Sequence, residues 1–186
     1  MVLLVRFHYA QKQSKLTFAL NGALYVHGGL MINVYLFDWG NTLMVDFPGV
    51  TGKMCNWENV EAVTGAKETL EVLSKHSQIY IATGAADSTE IEIQRAFERV
   101  GLSQFISGYF CKDNLGLSKG SPEFLNSILD KLKISSASVA MVGDNFDKDI
   151  KPAIATGIQP FWFTSKNIES SIYNVKVIKQ LSELYT

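Results

Sequence analysis

Cysteine is scarce in this chain of 186 residues: there are two, Cys55 and Cys111. They lie far apart, and neither is paired with histidine at zinc spacing. That excludes a disulfide framework and argues against a structural zinc site. Long hydrophobic runs are missing too, since none reaches the ~20 residues that a membrane-spanning helix needs. Surplus charge is also absent. The 17 Lys and Arg against 18 Asp and Glu leave a formal net charge of -1, so nothing electrostatic points to nucleic acid or an anionic membrane surface. No internal repeat, low-complexity tract or interdomain linker is visible. What is present is a composition 47% apolar and 19% charged, in a length that suits one domain. With its thiols reduced, such a chain is expected to be cytoplasmic.

The first thirty residues stand apart. Met1 to Gly29 contains no acidic residue, while Arg6, Lys12 and Lys15 add positive charge. The polar stretch Gln11 to Lys15 splits the apolar residues, which argues against a secretory signal. An organelle-targeting peptide is a weak reading of 1–30, and two others compete. One is an N-terminal extension forming a β-hairpin, with Thr17 to Leu20 and Ala23 to Val26 flanking an Asn21-Gly22 turn. The other is a misassigned start, with Met31 as the first residue. Either way, the main domain is expected over 31–186.

From Met31 onward, apolar runs alternate with helical patterns. Ile32 to Phe37, Ile79 to Ala82 and Val139 to Val142 carry no charge, as do central strands of a parallel sheet buried on both faces. Phe105 to Phe110, Phe161 to Phe163 and Val175 to Ile178 are weaker strand candidates. Helices are expected over Lys67 to Lys75, from a Ser88 or Thr89 cap to about Val100, after Ser121-Pro122, and over Asp149 to Thr156. The β-α-β-α-β-α-β order predicts an α/β fold with a doubly wound parallel sheet and helices on both faces.

Open parallel sheets bind ligands beyond the carboxyl ends of their strands. The residues that follow the three central runs are Asp38, Thr83 and Asp144. One carboxylate at a strand end is ordinarily a cap or turn former. Here three strand ends supply a carboxylate, a hydroxyl and a carboxylate cluster, and Lys119 precedes the Pro122 helix.

This arrangement resembles the haloacid-dehalogenase superfamily, whose four motifs occur here in order. Asp38-Trp39-Gly40-Asn41-Thr42 is similar to D-x-D-x-T. Thr83 stands for the Ser or Thr after a strand, Lys119 in Lys119-Gly120-Ser121-Pro122 for the lysine ahead of a helix, and Gly143-Asp144 to Asp149 for G-D-x-x-x-x-D. The resemblance covers about Ile32 to Phe163. It implies a Rossmann-like three-layer α/β/α sandwich with a minimal or absent cap domain, and a hydrolase acting on a small phosphorylated molecule. It also implies Asp38 as a nucleophile forming an aspartyl-phosphate. Mg²⁺ would be held by Asp38, Asp144 and the backbone carbonyl of Gly40. Lys119 would pair with the phosphate and Asp38. Thr83, Gly84, Lys119 and Asn41 would bind the phosphate, and Asp149 would orient Lys119 or a metal-bound water.

One departure matters. Family phosphatases usually carry an acid/base Asp two residues after the nucleophile, and this chain has Gly40. That help is worth ~10²–10⁴-fold. Its loss leaves a second reading open, a phosphate- and Mg²⁺-binding or regulatory protein with weakened turnover. Asp46 could swing in, although a plain loop role is favoured for it. Asp144 at a Mg²⁺ position argues against dehalogenase chemistry, which uses no metal. The stretch 44–66 is too short for a four-helix cap and reads as a loop, with Trp57 as an anchor. The site is then open, or a second subunit of a homo-oligomer covers it. His8, His27 and His76 are given no chemistry, and Phe161 to Phe163 is read as strand core.

Overall fold

The computed structural model describes residues 17–20, 23–26, 29–167 and 175–186. Strands β1 (Thr17–Leu20), β2 (Ala23–Val26) and β3 (Gly29–Leu30) form a small antiparallel sheet. Thr17 faces Val26, and Leu20 faces Ala23. The Asn21-Gly22 turn expected between them lies outside the described residues, as does all of 1–16.

The main sheet has six strands, in the order β6-β5-β4-β7-β8-β9, each paired parallel with its neighbours. They are β4 (Val34–Phe37), β5 (Gln78–Ala82), β6 (Gly108–Phe110), β7 (Val139–Gly143), β8 (Gln159–Phe163) and β9 (Lys176–Ile178). Between them lie helices α1 (Ala66–Leu73), α2 (Glu90–Arg99), α3 (Lys112–Leu115), α4 (Pro122–Leu132) and α5 (Lys151–Thr156).

Alternation along the strands separates two cores. Tyr35, Phe37, Ile79, Ile81 and Val142 pack with Leu70 and Leu73 of α1 and with Ile93 and Phe97 of α2. Val34, Leu36, Val139 and Met141 pack with Phe124, Leu125 and Ile128 of α4 and with Ala153 of α5. Helices thus cover both faces, and the fold is the expected three-layer sandwich. Burial on both faces is why β4 and β7 are apolar throughout.

Several boundaries differ from the sequence reading. Phe105 closes a short 3₁₀ turn, Ser103–Phe105, and β6 starts only at Gly108. The helix expected from Asp149 opens earlier, as a wide π-helical turn over Phe146–Ile150, and α5 follows it. Strand β8 begins at Gln159 and includes Pro160. Its pairing with β9 starts at Phe161, so the missing proline N–H leaves no ladder bond unmade on that side. Thr89 caps α2: its hydroxyl accepts the Glu92 N–H at 3.4 Å, and the Glu92 carboxylate accepts the Thr89 N–H at 2.9 Å.

The 44–66 stretch is a loop with one helical turn, Met54–Asn56, and not a cap domain. Trp57 is buried, and its indole N–H donates to the Gly52 carbonyl at 3.0 Å. Helix α2 holds the loop from below. The Arg99 guanidinium donates to the carbonyls of Trp57 (2.6 Å), Glu58 (3.0 Å) and Cys55 (3.2 Å), and Lys53 pairs with Glu92 at 2.7 Å. Among the described residues, no helix is long and apolar enough to cross a membrane.

Candidate active site

Strand register brings the predicted residues to one edge. Phe37 is level with Ile81 on one side and with Val142 on the other. Asp38, Ala82 and Gly143 therefore come next at one height, with Thr83 and Asp144 one residue beyond. The Asp38 N–H donates to the Val142 carbonyl at 2.8 Å, and the Thr83 N–H to the Phe110 carbonyl at 2.9 Å. The sheet grows outward from β4 in both directions, and such a switch point leaves a crevice at the strand ends.

In that crevice lies a charged cluster. The Lys119 ammonium, with 3% of its side chain exposed, pairs with Asp38 and, at 2.7 Å, with Asp149, whose side chain is 1% exposed. Asp38, Asp144 and Asp149 each offer a carboxylate oxygen, and these oxygens lie within 4.8 Å of one another. One ammonium against three carboxylates leaves two negative charges. Burial works against the Lys119 charge, but Asp38 and Asp149 outweigh it and hold the ammonium above the usual lysine range. Burial, reinforced by the Asp38 and Asp149 charges, pushes the Asp144 carboxyl up to about 6. Burial also raises Asp149, although Lys119 opposes the shift.

Glycines make room for these charges. A Cβ added at Gly84 would lie 3.7 Å from the Lys119 Cβ, and one at Gly143 would lie 2.7 Å from the Asp149 Cβ. A Cβ at Gly40 would lie 3.5 Å from the Cβ of Asp46.

Of the residues singled out from sequence, Lys119 meets Asp38 and Asp149 directly, Asp144 brings a carboxylate oxygen within 4.8 Å of theirs, and Gly84 lies against the lysine stem. Thr83 reaches the same edge, but its hydroxyl serves its own loop, accepting the Ala85 N–H at 3.2 Å. Asn41 is exposed at φ 56°, and its amide oxygen accepts the Asp46 N–H at 3.1 Å. Asp147 is exposed and pairs with Lys151 at 2.5 Å.

Three supports were missed. Thr42, fully buried, donates its hydroxyl to Asp38 at 3.5 Å. The Asn145 side chain accepts the N–H groups of Asp147 and Lys148, while its own N–H donates to the Asp149 carboxylate at 2.9 Å. An Asn placed just before a helical turn could have signalled that cap. Trp162, read as strand core, is only half-buried. Its indole N–H donates to the Asp144 carbonyl at 2.9 Å, and Phe146 packs on its ring.

A family model for haloacid dehalogenase-like hydrolases matches residues 43–163. The ribulose-1,5-bisphosphate 5-phosphatase of Halopiger xanaduensis is 29% identical over 106 residues, 57% of this chain and 44% of that protein. The glyceraldehyde 3-phosphate phosphatase of Methanocaldococcus jannaschii is 30% identical over 89 residues, 46% of this chain and 39% of that protein. The chain spans less than half the length of these two relatives. Among solved structures, the HAD-hydrolase YfnB of Bacillus subtilis, bound to magnesium, shares the fold. Its TM-score is 0.67 at 16% identity, over 83% of this chain and 97% of that one.

Proposed function

We propose that this chain, which belongs to the haloacid dehalogenase-like hydrolase family, hydrolyses phosphate monoesters of small molecules, with Mg²⁺, through an aspartyl-phosphate on Asp38. One observation carries the reading: a carboxylate at the switch-point strand end is ion-paired to a buried lysine and shares its crevice with two more carboxylates. The names of the two curated relatives, both phosphatases, support the substrate class. The two-cysteine composition supports a cytoplasmic setting.

The residues fit a divalent cation. They supply hard oxygen donors, a local surplus of two negative charges, and a carboxyl at Asp144 pushed up by burial and by the Asp38 and Asp149 charges. Asp38, Asp144 and the Gly40 carbonyl would hold the ion. When bound, it would draw negative charge off the phosphate, so that an anionic nucleophile can approach.

The chain's own groups do the rest. An Asp38 carboxylate oxygen bonds to phosphorus while the ester P–O bond breaks, and the departing oxygen takes up a proton. A water oxygen then bonds to phosphorus, loses a proton, and breaks the Asp38–phosphorus bond, freeing phosphate and Asp38. Lys119 keeps Asp38 ionised and aimed, and its remaining N–H is available to a phosphate oxygen. Asp149 holds Lys119 in that place. The Gly84 N–H, beside the lysine stem, would give a phosphate oxygen a donor, with Thr83 and Asn41 at the rim.

Release of p-nitrophenolate from p-nitrophenyl phosphate, with Mg²⁺ and with EDTA, tests this on wild type and Asp38→Asn. Mg²⁺-dependent turnover that Asp38→Asn abolishes is expected. Turnover that is insensitive to both sinks the reading. Beryllofluoride capture on Asp38 without turnover would favour the binding-protein alternative.

A further inference from the structure

We infer that Asp46, from the loop after the first motif, is the proton donor and acceptor that the phosphatase reaction needs and that position 40 does not supply. The inference rests on the phosphatase reading. Hydrolysis needs an acid for the departing oxygen and then a base for the attacking water. The cluster itself has no free candidate. Asp38 is the nucleophile, Lys119 is held by two carboxylates, and Asp149 is committed to Lys119 and the Asn145 N–H. Asp144 is placed to hold the cation.

Asp46 lies on the right side of the chain. Trp39 is buried in the core, while Asp38 and Gly40 on either side of it are half-buried, and Asp38 lies in the crevice. A Cβ at Gly40 would meet Asp46 first, with the Asp46 Cβ at 3.5 Å and Oδ2 at 3.6 Å. The Asp46 carboxylate therefore borders the space that a side chain at position 40 would enter. Its backbone is held there, because the Asp46 N–H donates to the Asn41 side chain at 3.1 Å and the Val45 N–H to the Glu61 carbonyl at 2.9 Å. The carboxylate itself stays exposed, free to meet a substrate oxygen or a water.

The protonated Asp46 carboxyl gives its proton to the ester oxygen as the P–O bond breaks. The resulting carboxylate takes a proton from water as the water oxygen bonds to phosphorus and the Asp38–phosphorus bond opens. After one turnover Asp46 is protonated again, and the net change is ester plus water to alcohol plus phosphate.

The test compares wild type, Asp46→Asn and Asp46→Asn/Gly40→Asp on p-nitrophenyl phosphate and phenyl phosphate at saturating Mg²⁺. p-Nitrophenolate departs without a proton, whereas phenolate needs one. With p-nitrophenyl phosphate, Asp46→Asn is expected to release about one equivalent rapidly and then turn over ~10²-fold more slowly. Mass spectrometry after acid quench should find the phosphoryl group retained on Asp38. With phenyl phosphate the rapid release is lost. Gly40→Asp returns a carboxylate to the same space and restores turnover, because its Cβ meets only ordinary contacts. Glu58→Gln, on the same loop, changes neither phase. If wild type turns over in an Asp38- and Mg²⁺-dependent way and Asp46→Asn matches it, the inference fails and the phosphatase reading stands. A loss that Gly40→Asp does not restore also overturns it. If wild type shows no such turnover, the reading beneath it fails.

Discussion

Replacing Lys119 with methionine tests the charge balance of the crevice without opening a hole. Methionine keeps the apolar stem, whose Cβ and Cδ lie beside Gly84, and removes only the ammonium. Two ion pairs vanish, to Asp38 and Asp149, and three carboxylates with oxygens within 4.8 Å of one another are left unopposed. At an effective dielectric of about 20, two unit charges at that separation repel by about 3.5 kcal/mol. Relief from desolvating the ammonium offsets part of this, and removing one partner of a buried pair leaves a net loss of about 3–5 kcal/mol. For a chain of this size that is a fall of about 10 °C in Tm. Lys119 is raised above its ordinary value, so its ammonium stays charged at every pH below the lysine range and loses its proton only above it. The penalty should therefore be full at pH 7 in EDTA. It should shrink toward pH 4 as the carboxylates take up protons, and shrink also with Mg²⁺, which returns positive charge. Thermal unfolding followed by circular dichroism measures all three. A Lys119→Met protein within 1 kcal/mol of wild type at pH 7 in EDTA, or a penalty that does not change with pH, would refute the reasoning.

Asp144→Asn should have the opposite sign. Asp144 is raised to about 6 in the folded chain, so its contribution to stability is complete at low pH and is lost as pH climbs from about 4 through 6. In EDTA, Asp144→Asn should be as stable as wild type at pH 4 and more stable by roughly 1–2 kcal/mol at pH 7, the figure halved for solvent screening at a part-exposed site. Its Tm should no longer rise with Mg²⁺; a rise equal to that of wild type would remove Asp144 from the cation site. Arg99→Met cuts four carbonyl contacts of the 44–66 loop, and limited proteolysis within that loop should quicken on the order of tenfold, about 1.4 kcal/mol of local opening. An unchanged cleavage rate would mean that Trp57 alone anchors the loop.

The central strands were legible because a parallel strand covered on both faces must be apolar throughout, which Val34–Phe37 and Val139–Gly143 are. Asp38, Thr83 and Asp144 were legible for the same reason, as the first polar residues where that burial ends. Contacts made by distant residues were not legible. The hold of Asp149 on Lys119 depends on where the turn after β7 points. That turn is a wide π-helical one, set by the Asn145 cap, where a regular helix from Asp149 was expected. The bond from Trp162 to the Asp144 carbonyl arises because β7 and β8 pair with Gly143 level with Trp162. An aromatic triplet in a strand carries no mark of which ring turns toward the site.

Three glycines at this edge stand beside charged side chains, and the spacing differs enough to predict how each would respond to alanine. At Gly143 the added Cβ would lie 2.7 Å from the Asp149 Cβ and nearer still to its carboxylate. Asp149 would have to leave Lys119 or the strand would have to shift, a loss of at least 1–3 kcal/mol with weaker Mg²⁺ stabilisation. At Gly40 and Gly84 the nearest atoms are at 3.5 Å and 3.7 Å, ordinary contact, and neither residue has the positive φ that would strain alanine. Gly40→Ala and Gly84→Ala should therefore unfold within about 1 kcal/mol of wild type. They should differ from each other in catalysis. The methyl group at position 40 touches the Asp46 side chain, and the one at position 84 touches only the lysine stem. Thermal unfolding of the three variants, with and without Mg²⁺, reads this order directly. If Gly143→Ala were as stable as the other two, close approach through a missing side chain would not be what seats Asp149, and the lysine-centred account of the crevice would lose its support.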